Sequence, residues 1–225
     1  MLVCAPYLLP FEARAPWEFG AAMAAMAAMP ALRGVAEGDG HSVVIYPGLV
    51  SSDVNTLPLR MFLSECGYDV HGWDESVNLG PCPNTMARSV ERVKRLRRKS
   101  RRKVSLVGWS LGGLYAREIA RHVAKDIRCV VTLGTPFVGG PEGREPPPVP
   151  TTSLYSRTDG VVDWQLSLHE PGEERENIEI DASHNGMGMH PAAWFAIADR
   201  LAQPEGQWKP FHRDGLRGWF YPRTH

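Results

Sequence analysis

From residue 41 onward, short apolar runs alternate with stretches whose apolar positions recur every three or four residues. His41-Ser42-Val43-Val44-Ile45-Tyr46 is β-branched at its centre and ends at Pro47-Gly48, which predicts a buried strand and a turn. Residues 57–65 predict a helix stopped by Gly67, and residues 68–73 a second strand. Met86, Val90, Val93 and Leu96 share one helical face, with Asn84 as the expected cap. Val104-Ser105-Leu106-Val107 is nearly all apolar, as a parallel strand covered on both faces should be. Leu111, Tyr115, Ile119 and Val123 then recur every four residues and predict a helix. Strands are expected at 127–133, 152–156 and 177–180. A last helix over 191–201 carries Ala193, Trp194, Ile197 and Leu201 on its apolar face.

Strands alternating with helices predict an α/β fold, a mainly parallel sheet flanked by helices on both faces. Ligands of such sheets gather at the carboxyl ends of the strands. The loops after Tyr46, Val107, Leu133, Ser156 and Ile180 are therefore where chemistry is expected. This regular part spans residues 41–203, and no internal repeat interrupts it. Residues 1–40 differ. Met23, Met26 and Met29 recur among alanines, which predicts a small-residue helix packed on or near the site, with a Met-lined flap as the alternative. Residues 204–225 form an aromatic tail with Trp208, Phe211, Trp219, Phe220 and Tyr221, suited to packing back on the domain or to meeting another subunit; the sequence leaves the oligomeric state open.

Composition adds limits. A chain of 225 residues with 43% hydrophobic residues suits one sizeable domain. Net charge is zero, so bulk attraction to nucleic acid is not expected. Nine of the 25 basic residues cluster between Arg92 and Lys103, mostly on the polar face of their helix. A solvated outer face is the simpler reading, and an anionic partner the other. Cys4, Cys66, Cys82 and Cys129 match neither a zinc pattern nor a disulfide framework. No run is long enough to span a bilayer, and no secretory signal stands out, so a cytoplasmic location is expected.

The chemistry centres on Gly108-Trp109-Ser110-Leu111-Gly112, between the buried strand and the amphipathic helix. A tight strand-to-helix turn strains the serine backbone and lifts its hydroxyl above the sheet, and glycines at both ends let the two legs approach. A serine nucleophile needs a base, and histidine suits neutral pH. His184, just after a late strand, is the preferred base; His190, at the entry to the last helix, is the alternative. The imidazole needs a carboxylate to fix its tautomer. Asp159, next to Gly160 and directly after a strand, is preferred over Asp163. Leu111 N–H and Leu49 N–H are the expected oxyanion donors. Val50, Trp109, Phe137, Val161 and Trp164 are candidate walls of a substrate pocket.

Together, Tyr46-Pro47-Gly48-Leu49, Gly108-Trp109-Ser110-Leu111-Gly112-Gly113, Thr132-Leu133-Gly134-Thr135-Pro136, Ser156-Arg157-Thr158-Asp159-Gly160 and Ser183-His184 resemble the α/β-hydrolase superfamily, and more narrowly its small lidless lipases and esterases. The order Ser, Asp, His along the chain is that family's order. The resemblance implies cleavage of carboxylic esters, short- to medium-chain or lipid, through an acyl-serine intermediate, with no metal and no cofactor. Tyr46 stands where many members have histidine, and the 49 residues from Ser110 to Asp159 leave no room for a large cap. An acyltransferase or thioesterase would use the same triad. A non-catalytic binding module is the reading from a different class.

Overall fold

A computed structural model describes residues 6–32, 37–138, 145–215 and 217–222. Six parallel strands form one open sheet in the order β2-β1-β3-β4-β5-β6: β1 (Ser42–Tyr46), β2 (Asp69–His71), β3 (Val104–Trp109), β4 (Ile127–Leu133), β5 (Thr151–Tyr155) and β6 (Arg175–Glu179). The strand reversal lies between β1 and β3, the crevice where parallel sheets of this type bind ligands.

The near-continuous apolar runs follow from two covered faces. Alternate side chains of each strand enter opposite cores. Val43, Ile45, Val107, Val131, Leu133, Leu154 and Ile178 pack beneath α2 (Asp53–Glu65) and α5 (Pro191–Leu201). Val44, Tyr46, Val104, Leu106 and Val130 pack beneath α3 (Pro83–Ser100) and α4 (Leu111–His122). Val93 and Leu96 of α3 are buried, and Met86 and Val90 pack against the same core.

Two helix starts differ from the sequence expectation. The first helix begins at Asp53, upstream of residue 57. The Ser52 hydroxyl accepts from Val54 N–H, and the Asn55 side chain accepts from Ser52 N–H, a reciprocal cap that starts the helix before Pro58. The cap of α3 is Cys82, not Asn84, and its side chain makes no capping bond. Pro83 at the first helical position has a preset φ and lacks the N–H that a capping side chain would otherwise take.

The N-terminal part is a 3-10 run, Pro6–Arg14, continuing into α1 (Ala15–Leu32). Ala22 and Met26 seat α1 on the core shared with α5, while Met23 is exposed. The Met29 side chain and residues 139–144 lie outside the described residues. In the tail, Phe211 and Tyr221 return to that core, and the Tyr221 hydroxyl donates to Ala192 O at 2.7 Å; Trp219 and Phe220 stay exposed. Among the described residues, no helix is long and apolar enough to cross a membrane.

Candidate active site

Ser110 stands between the end of β3 and the start of α4 with φ 53° and ψ −121°, a left-handed conformation that costs a non-glycine residue about 1–3 kcal/mol. Three hydrogen bonds hold it there. Ser110 N–H donates to Leu133 O at 2.7 Å, and Ser110 O accepts from Gly113 N–H and the Thr135 hydroxyl, both at 3.0 Å. The glycines are required by close approach. A Cβ at Gly108 would lie 2.4 Å from Gly112 O, one at Gly112 2.2 Å from Tyr46 O, and one at Gly113 2.0 Å from Thr135 Oγ1. The Thr132–Pro136 stretch therefore supports the serine turn as well as ending a strand.

Asp159 and His184 meet although 25 residues apart. His184 Nδ1 lies 2.7 Å from Asp159 Oδ2, with both side chains almost fully buried. Asp159 Oδ1 accepts from Val161 N–H at 2.9 Å and Val162 N–H at 2.7 Å, which fixes the carboxylate plane. With Nδ1 committed to the carboxylate, Nε2 is the imidazole nitrogen left for a proton transfer. The Trp109 indole N–H donates to His184 O at 3.1 Å, tying the residue before the serine to the imidazole loop. Gly134, at φ +51°, sits against the pair; a Cβ there would lie 3.0 Å from Asp159 Oδ2 and 3.1 Å from His184 Nδ1.

The two alternatives are occupied elsewhere. His190 caps α5, its Nδ1 accepting from Ala192 N–H at 3.2 Å, and burial pushes its pKa down. Asp163 caps the short 3-10 turn Trp164–Ser167 by accepting from Gln165 N–H at 3.0 Å.

Gly48 faces the serine: a Cβ there would lie 3.3 Å from Ser110 Cβ and 3.9 Å from its Oγ. Leu49 N–H follows directly, and Leu111 N–H opens α4. Neither makes a described hydrogen bond to another residue. The flanking loop is braced by Asn78, whose side chain donates to Pro47 O and whose backbone O accepts from Val50 N–H.

The candidate pocket walls separate into groups. Leu49 and Val50 are exposed beside Gly48, and Val161 is half-buried in the Asp159 loop. Trp109 is buried against Gly188. Phe137 is buried against the Arg117 guanidinium, 3.9 Å from its ring centroid, and the His169 ring at 4.6 Å, and these two neighbours also touch each other. Trp164 stacks on Tyr155, and the Arg157 guanidinium also lies over its ring at 4.3 Å. The described ring contacts of Phe137 and Trp164 are with these neighbours.

Sequence reasoning missed two acids. Glu12 Oε1 accepts from Gly160 N–H at 2.9 Å and His184 N–H at 2.7 Å; Glu12 Oε2 accepts from Asn185 N–H at 2.9 Å and Asn185 Nδ2 at 2.8 Å. Buried Glu18 accepts from Ser183 N–H at 2.7 Å and from the Ser183 hydroxyl. The signal available was the presence of carboxylates inside an otherwise apolar N-terminal helix region. No group of His, Cys, Asp and Glu with metal-site geometry occurs among the described residues.

This parallel sheet with helices on both faces is the α/β-hydrolase fold. Its structural neighbours include Aspergillus fumigatus lipase B, with 16% identity, a TM-score of 0.60 and 77% of this chain matched to 55% of the lipase. The mature Bacillus licheniformis lipase has 14% identity and a TM-score of 0.59, over 73% of this chain and 93% of that one. An esterase of Pyrobaculum calidifontis has 16% identity and a TM-score of 0.59, over 73% and 77%. The chain thus spans about half the length of the Aspergillus lipase. No family model and no curated protein matches the sequence. At these identities the likeness speaks for the fold.

Proposed function

We propose that this chain is a serine hydrolase of carboxylic esters. The observation that carries the reading is the buried Asp159–His184 pair at 2.7 Å, tied through Trp109 to a serine held in a strained strand-to-helix turn. In this reading His184 Nε2 takes the proton of Ser110 Oγ as Oγ bonds to the ester carbon. The carbonyl oxygen becomes an oxyanion held by Leu49 N–H and Leu111 N–H. Collapse breaks the bond to the alkoxy group, which leaves with the proton from His184. Water then gives a proton to His184 and attacks the acyl-serine; Oγ departs and recovers its proton. Asp159 keeps the imidazole tautomer and stabilises its cation. Leu49, Val50 and Val161 supply apolar surface suited to short- and medium-chain acyl groups.

The test is turnover of p-nitrophenyl esters of graded acyl length by wild type and Ser110→Ala, with fluorophosphonate labelling alongside. Expected are labelling at Ser110 and a loss of about 10³-fold or more in kcat on its removal. Equal rates for the two proteins would remove Ser110 from the chemistry. Added alcohol or acyl-CoA separates hydrolysis from acyl transfer or thioester cleavage by the product formed.

A further inference from the structure

The N-terminal segment touches the two loops that carry the proposed acid and base, and it does so through charged groups. The Glu12 carboxylate spans them: one oxygen accepts from Gly160 N–H and His184 N–H, the other from Asn185 N–H and side chain. Three of these donors are backbone N–H groups that no strand or helix ladder satisfies. Six residues on, Glu18 is buried and holds Ser183 N–H and its hydroxyl, and that hydroxyl in turn accepts from Gly186 N–H at 2.9 Å. Between them Arg14 pairs with Asp181 at 2.9 Å and donates to the Thr158 hydroxyl, again bridging the two loops.

Two glycines are cut to fit this segment. Gly160 has no left-handed φ, so it is not there to allow a turn; a Cβ on it would lie 2.7 Å from Leu8 O and 2.9 Å from Glu12 Cγ. A Cβ on Gly186 would lie 1.6 Å from Glu18 Oε2. Each loop thus gives up a side chain where the N-terminal segment lies against it. Charge-assisted bonds of this kind are about twice as strong as neutral ones, and four on one carboxylate fix its position.

We propose that residues 8–18 form a strap that sets the spacing of the acid and base loops, with Glu12 the positioning residue that keeps the His184 imidazole on Asp159. The strap is a fixed part of the site, not a flap that opens over it. A serine–histidine–carboxylate set tolerates little displacement: a shift near 1 Å costs about 100-fold in rate. Glu12 touches no reacting atom and acts through the His184 and Gly160 backbone. This proposal rests on the ester-hydrolase reading for its kinetic consequence but not for its geometry.

The experiment compares full-length wild type, Glu12→Ala and Glu12→Gln in two readouts. The first is the low-field proton resonance of the hydrogen bond between His184 Nδ1 and Asp159, which reports the pair whether or not any ester is cleaved. The second is p-nitrophenyl ester kinetics, with thermal melting as a check that the fold persists. In Glu12→Ala the low-field signal is expected to vanish, with kcat down about 10- to 100-fold and KM within about twofold. Glu12→Gln keeps an acceptor for half of the four donors and should fall between. Loss of the signal with no ester turnover by any of the proteins would uphold the strap and sink the hydrolase reading. An intact signal and a kcat within about twofold of wild type in Glu12→Ala would overturn the strap.

Discussion

Gly134 offers the sharpest test of whether the Asp159–His184 pair drives the reaction. Replacing it by alanine has two separable effects. Its φ of +51° is left-handed, which costs an alanine about 1–2 kcal/mol. In a domain of this size that lowers the melting temperature by about 2–4 °C per kcal/mol. The new methyl would also stand 3.0 Å from Asp159 Oδ2, 3.1 Å from His184 Nδ1 and 3.3 Å from His184 Cε1. Those contacts are too close by a few tenths of an ångström, so the carboxylate or the ring must move. The pair is already at 2.7 Å and Asp159 is held by two backbone N–H groups, so movement lengthens the pair. With about 100-fold for a shift near 1 Å, a displacement of that size is worth up to about 10-fold in kcat, or about 1.4 kcal/mol of transition-state stabilisation. Gly206 is the control: its φ is +72° and a Cβ there meets nothing within 4 Å. Gly206→Ala should lose similar stability and keep full activity. Ester kinetics and thermal melts on both variants decide the matter. If Gly134→Ala melts like Gly206→Ala and also keeps its kcat within about twofold, the pair is not the acid–base device proposed.

Further outcomes follow from single contacts. Asp159→Asn should lower kcat by about 10³- to 10⁴-fold, whereas Asp163→Asn, which alters a turn cap, should leave it within about threefold; equal losses would return Asp163 to the site. Trp109→Phe removes the 3.1 Å bond to His184 O and should cost about 1 kcal/mol of stability with a fall in kcat, read by urea unfolding and ester kinetics. His169 is buried beside Arg117 and its pKa is pushed down to about 3, by burial first and by the positive charge of Arg117 second. It is neutral when folded, while the unfolded imidazole takes up a proton near the ordinary 6.5. Its contribution is therefore present above pH 6.5 and lost as pH falls from there towards 3, at up to about 1.4 kcal/mol per pH unit. His169→Gln should flatten that acid slope in urea midpoints measured across the range, and parallel slopes would refute the assignment.

The parts of the site that could be read from the sequence are those whose geometry is local. The Ser110 turn is announced by Gly108, Gly112 and Gly113, because a strand and helix that nearly touch exclude side chains at fixed offsets. The sheet was legible because strands buried on both faces lose their polar positions. Boundaries shifted where short-range chemistry competed, as at Ser52 and Asn55, which start α2 before Pro58, and at Pro83, which takes over from Asn84. Position directly after β6 favoured His184, and His190 stayed the alternative because both lie between β6 and α5. The discriminating fact is which imidazole nitrogen is already occupied by a backbone N–H.

The strap was illegible for a different reason. Glu12 lies 172 residues from His184, and no periodicity links a carboxylate to backbone donors that far away. What the sequence does hold is the imprint of the contact on the other side: Gly160 directly after Asp159, and Gly186 two residues after His184. Gly160, with an ordinary φ, is a seat for Leu8 O and Glu12 Cγ, and Gly186 a seat for the Glu18 carboxylate. A glycine beside an acid or base with an ordinary φ is therefore a question about what lies against it. Here the answer is a pair of carboxylates that accept from four backbone N–H groups, at Gly160, Ser183, His184 and Asn185. Ser183 and His184 are buried, and a buried N–H left without an acceptor costs about 1–3 kcal/mol, so without the carboxylates the His184 loop would settle elsewhere.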